Sequence, residues 1–107
     1  MFNQRADFTV PLLHLLADLP GGAGTRVEVS AQFLQRFRPE IPQKYFAPVA
    51  SGGEEKWHNF VAWARSDLKM MGFVDAAERG VWRITQAGRD WLKEHPNATH
   101  LSTLPQK

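Results

Sequence analysis

Between Trp57 and Met71 apolar side chains recur at helical spacing, and just after Gly72 that period stops. Trp57, Phe60, Val61, Ala64, Leu68 and Met71 fall on one side of a helix, with Lys56, His58, Asn59, Arg65, Ser66 and Lys69 off that stripe. Ser51 followed by Glu54 has the spacing of a capping box, and Glu54 and Glu55 suit the positive end of a helix. Gly72 is a natural C-terminal stop. Phe73-Val74 and Val81-Trp82-Arg83-Ile84 then read as strands, turned by Glu78-Arg79-Gly80, with Gly80 able to take a positive φ. In that hairpin Trp82 and Ile84 point one way, Val81 and Arg83 the other.

A long helix followed by a small basic-tipped hairpin is the layout of a winged helix-turn-helix, an α+β fold of about four helices with an antiparallel β-hairpin wing. Its usual work is binding duplex DNA. Three runs sharpen this: Asn59-Phe60-Val61-Ala62-Trp63-Ala64-Arg65, Leu68-Lys69-Met70-Met71-Gly72-Phe73, and Arg79-Gly80-Val81-Trp82-Arg83-Ile84-Thr85 with Gly88-Arg89. Together they resemble the N-terminal domain of Mrr-type restriction proteins. The resemblance implies a winged helix fused, in the family, to a nuclease that cuts modified DNA. The family often carries a basic residue where this chain has Phe60, and Ala-Gly where it has Met71-Gly72.

A chain of 107 residues supports one domain with a modest core. We expect the winged helix over residues 1–94 and a linker or disordered tail over 95–107, where the sequence turns polar and loses periodicity. The absence of cysteine excludes a disulfide framework and a cysteine-based zinc site. No apolar run approaches a membrane span and the start is not a signal peptide, so a cytoplasmic protein is the default expectation. Net charge is only +2, so DNA binding depends on basic groups gathered on one face. Four Trp and seven Phe exceed what so small a core needs.

Residues 1–7 read as loose. Thr9 can cap a first helix with Pro11 in its first turn, and Leu12, Leu13, Leu15, Leu16 and Leu19 make it central to the core until Pro20-Gly21-Gly22 ends it. His14 within it reads as an edge or hydrogen-bonded histidine. Arg26-Val27-Glu28-Val29 alternates and reads as a strand able to pair with the hairpin. Ser30 then caps a second helix that buries Phe33, Leu34 and Phe37, stopped by Pro39 and Pro42. Arg36 and Arg38 are either phosphate contacts or solvated charge. Residues 39–53 form a long connection, in which Tyr45 and Phe46 beside Lys44 either pack on the core or lie near DNA. Thr85 caps a last helix from Gln86 to Glu94, with Ala87, Trp91 and Leu92 docked inward and Gly88 tightly packed.

Neither Glu54-Glu55-Lys56 nor Trp57-His58-Asn59 amounts to a nuclease site. The first lacks a preceding strand carrying an aspartate and the second lacks metal ligands. No Gly-rich phosphate loop follows a strand. We therefore expect a reader without catalysis, cofactor or metal, monomeric as an isolated domain.

The third helix is expected to enter the major groove. The candidate DNA-binding residues are Lys44, Tyr45, Lys56, Trp57, His58, Asn59, Arg65, Lys69, Arg79 and Arg83. Asn59 suits an adenine edge and Glu55 a cytosine amine. Lys56, Arg65 and Lys69 suit phosphates, and Arg79 and Arg83 the backbone or minor groove beside the wing. The resemblance implies modified DNA, best read as N6-methyladenine. An aromatic wall drawn from Trp57, His58, Tyr45 and Phe46 can bury a base methyl. Trp63, on the flank of the stripe, packs under the wing or against the second helix, or else faces DNA. A transcriptional regulator of the same fold and a protein-interaction module are the competing readings.

Overall fold

The computed structural model describes residues 2, 4–49, 53–75 and 79–98. Among them are four α-helices: α1 (Thr9–Asp18), α2 (Arg26–Phe37), α3 (Lys56–Met70) and α4 (Gln86–Glu94). Three short strands, β1 (Ala23–Thr25), β2 (Val74–Asp75) and β3 (Val81–Ile84), make an antiparallel sheet in the order β1-β3-β2. Trp82 pairs with Gly24 and Ile84 with Val74. This is the α+β winged helix-turn-helix that the sequence pattern predicts, with β2 and β3 as the wing. Trp82 and Ile84 face inward, with Val81 and Arg83 on the half-exposed side.

The third strand lies earlier than expected. Thr25 Oγ1 accepts from the Glu28 N–H at 3.2 Å while Glu28 Oε1 accepts from the Thr25 N–H at 2.9 Å. This capping box starts α2 at Arg26. Residues 26–29 are therefore its first turn and not a strand. The apparent alternation splits accordingly: Val29 is fully buried and Val27 is 77% exposed, whereas in a strand both would share a face. Ser30, expected to cap the helix, lies buried within it.

Of residues 1–7, the described ones, 2 and 4–7, are packed and not loose. Arg5–Phe8 forms a 3-10 turn in which Gln4 N–H donates to buried Asp7 at 3.0 Å. Thr9 does not cap α1; its hydroxyl donates back to the Ala6 carbonyl at 2.8 Å. Phe2 is fully buried, its ring 4.8 Å from Phe8, 5.8 Å from Phe33 and 5.5 Å from Phe37. Phe8 in turn touches Tyr45 and Phe60. The surplus of aromatic residues is thus largely spent in one cluster joining the N-terminus, α2, the 39–53 connection and α3.

The described part of that connection is also held by regular hydrogen bonds. Gln43–Phe46 forms a 3-10 turn. Ala47 to Lys56 then closes on itself, with Val49 N–H donating to the Glu54 carbonyl at 2.8 Å and Lys56 N–H to the Ala47 carbonyl at 2.9 Å. α3 begins only at Lys56, with Glu55 as its N-cap residue, so a capping box beginning at Ser51 does not start it. Ser51, Gly52 and Glu78, on which expectations also fell, lie outside the described residues.

α3 ends as Gly72 predicts. Gly72 takes a φ of 82°, its N–H donates to Lys69 and the Phe73 N–H to Leu68, which is a Schellman motif. Thr85 caps α4 by accepting from the Gly88 N–H at 3.1 Å. It also donates to the Gly72 carbonyl at 2.6 Å, tying the end of α3 to the start of α4. Trp91 is buried beside Phe73, but Ala87, expected to dock with it, is exposed. Beyond Glu94 the His95 ring stacks on Trp91 at 4.7 Å.

Candidate nucleic-acid interface

Burial of Trp57, Val61, Ala64 and Leu68 fixes which way α3 faces. One turn apart on its opposite side come Asn59, Trp63, Ser66 and Met70. Asn59, Ala62, Trp63, Arg65 and Ser66 line a shallow groove of about 160 Å³ along this outer face. Lys56 and Lys69 lie toward its two ends, and Arg79 is exposed at the hairpin tip, where Gly80 takes a φ of 77°.

The candidate residues do not all reach this face. Tyr45 and Trp57 are each only 7% exposed and belong to the core, which removes both from any exposed aromatic wall. Trp57 Nε1 donates to Glu55 at 2.8 Å, so this carboxylate is engaged with its own helix start. Phe46 is half-buried against the core, with the Arg38 guanidinium 5.2 Å from its ring centre. Lys44, on the same turn, is exposed. Arg83 sits in mid-β3, opposite Ala23 on one side and Asp75 on the other.

Arg65 is half-exposed, its guanidinium 5.7 Å from the Trp82 ring centre, so α3 and the wing are coupled through it. Its buried Nε has no hydrogen-bond partner among the described residues.

The start of α3 is organised by a carboxylate. Glu54 Oε1 accepts from Arg26 Nη2 at 2.6 Å and lies 3.4 Å from His58 Nδ1, while Oε2 accepts from Asn59 Nδ2 at 3.2 Å. The face is therefore not uniformly cationic as expected; a half-buried acid stands among its bases. His58 Nε2 is buried and has no hydrogen-bond partner among the described residues, its ring 5.2 Å from Trp57.

Trp63 is only half covered and leaves much of its ring to solvent. It is 47% exposed, with the Arg5 guanidinium 4.7 Å from its ring centre. Sequence reasoning missed Arg5 because residues 1–7 carry no periodicity, and missed Arg26 because its segment reads as a strand. A signal for the latter existed: Thr25 and Glu28 have capping-box spacing.

Among the described residues no group of His, Asp and Glu side chains is placed to hold a metal ion, and no helix is long and apolar enough to cross a membrane.

Comparison with known proteins agrees with the fold. A type IV methyl-directed restriction enzyme of Escherichia coli strain K12, EcoKMrr, is 34% identical over 91 residues. The match covers 83% of this chain and 28% of that enzyme, so the chain spans under a third of its relative's length. No solved structure matches. The family profile for the Mrr N-terminal domain matches residues 6–94. This chain therefore belongs to the Mrr N-terminal domain family.

Proposed function

We propose that this domain binds double-stranded DNA with the outer face of α3 in the major groove and the wing along the flanking backbone, and that it reads N6-methyladenine. One observation carries the proposal: the exposed side of α3 combines a groove lined by Asn59, Trp63, Arg65 and Ser66 with Lys56, Lys69 and Arg79 around it. An α-helix fits the major groove, and phosphate contacts from such bases set register. The methyl-directed activity in the name of the Escherichia coli relative supports a modified target. In this reading the domain is a cytoplasmic monomer by itself and delivers a fused nuclease to modified sites.

Binding of one duplex sequence in fully methylated, half-methylated and unmodified form, each at two salt concentrations, tests this. Affinity should fall steeply with salt and rise with methylation. Equal affinities for the three duplexes would reject the modification, and absence of salt-dependent binding would reject DNA.

A second reading, protein docking, draws on Met70 and Met71, which are 86% and 45% exposed at the end of α3. Salt-independent association with a fused or separate protein domain would favour it.

A further inference from the structure

Trp63 is a large aromatic side chain left half-exposed beside a groove, in a domain that buries Trp57, Trp82 and Trp91 to within 7% of full coverage. Its described partner is a cation, with Arg5 stacked at 4.7 Å. Such a contact holds a ring in place without covering it from solvent on all sides. One helical turn earlier stands Asn59, at the spacing that brings side chains about 5–6 Å apart at Cβ.

The orientation of the Asn59 amide follows from its neighbour. A carboxylate can only accept, so the group within 3.2 Å of Glu54 Oε2 is the amide nitrogen. This leaves the second Nδ2 hydrogen as a donor for adenine N7, which methylation at N6 does not block, and the carbonyl oxygen Oδ1 as an acceptor for an N6 hydrogen where one faces the groove. An unmodified adenine offers two N6 hydrogens, one of them engaged in base pairing. N6-methyladenine has one hydrogen and one methyl. It pairs through the hydrogen when the methyl turns toward the major groove, and in its other rotamer it offers the hydrogen there.

We propose that Trp63, held by Arg5, is the apolar surface against which the N6-methyl group of a methylated adenine is buried, with Asn59 aligning that base through its edge. This rests on the DNA-binding reading above and names the residue that gives the modification its effect. Asn59 supplies adenine register through its amide, fixed by Glu54 and in turn by Arg26. Trp63 supplies the methyl-dependent part. A methyl removed from water against an aromatic face is worth about fourfold in affinity. Arg5 acts as a positioning residue: it touches the ring and not the base.

The test uses the full 107-residue chain and three duplexes of one sequence: unmodified, carrying N6-methyladenine on both strands, and carrying 5-methylcytosine instead. The readout is the affinity ratio of each modified duplex to the unmodified one. Wild type should favour N6-methyladenine by about fourfold. Trp63→Ala should bring the ratio to about one, Trp63→Phe should keep part of it, and Arg5→Gln should lower it. Because Trp63 is half-exposed, thermal melting of each variant should stay close to wild type, which separates recognition from folding. A wild-type ratio retained by Trp63→Ala overturns the inference and leaves DNA binding standing. A wild type that favours only the 5-methylcytosine duplex overturns the assignment to adenine. A wild type that binds no duplex overturns the DNA-binding reading itself.

Discussion

Arg26 Nη2 lies 2.6 Å from Glu54 Oε1, joining the first turn of α2 to the residue pair that precedes α3. Both side chains are partly exposed, 46% and 28%, so the pair contributes about 0–1 kcal/mol to stability. Its importance lies in placement. The same carboxylate holds Asn59 and faces His58, so it sets the geometry of the groove's leading end while placing a negative charge near where phosphates would run.

Glu54→Gln should therefore tighten binding to unmodified duplex, by up to about fivefold at low salt, with little change in melting temperature. Fluorescence anisotropy at two salt concentrations checks this. Weaker binding at both salts would show that the carboxylate is not near the phosphates.

Phe2→Ala should destabilise the domain by about 3–5 kcal/mol, because a fully buried ring in contact with Phe8, Phe33 and Phe37 leaves a cavity. That is a large part of a small domain's total. Urea unfolding measures it; a change below about 1 kcal/mol would mean the N-terminus is not part of the core.

Gly88→Ala replaces a poor helix former by the best one, yet should lower stability. A Cβ there would meet the Phe73 carbonyl oxygen at 2.6 Å and Ile84 Cγ1 at 2.9 Å. Overpacking of about 1–3 kcal/mol outweighs a propensity gain of about 1. The melting temperature should drop by several degrees; a rise would show that α4 can shift away from the sheet.

The imidazole of His14 is held below its ordinary pKa of 6.5, chiefly by burial, with Arg36 adding to the effect and Asp18 opposing it. The folded state thus favours the neutral ring. As pH falls through 6.5 the unfolded chain takes up a proton that the folded chain takes up only at lower pH, so stability declines. His14→Gln should flatten the difference in melting temperature between pH 7.5 and 5.5; an unchanged slope would assign the pH dependence to other groups.

The order of long helix, stop and hairpin was legible because periodicity, Gly72 and the Trp82/Ile84 alternation are local signals. The basic residues of α3 and the wing tip were legible for the same reason. The start of the second helix is ambiguous in the sequence because four residues with valine at alternate positions fit a strand and a helix turn equally well, and only the Thr25–Glu28 cap decides between them. Trp63 lay on the flank of a stripe, where periodicity cannot say whether a neighbour covers it.

The amino-acid order by itself determined the family, the succession of elements and which side of α3 is apolar, since each follows from contacts within a few residues. Only the tertiary structure decided that Phe2 is core, that Glu54 binds Arg26 and Asn59, and that Arg5 lies over a half-exposed Trp63. Those contacts join residues far apart in the chain, or choose among several possible neighbours, and nothing in local spacing encodes which partner arrives.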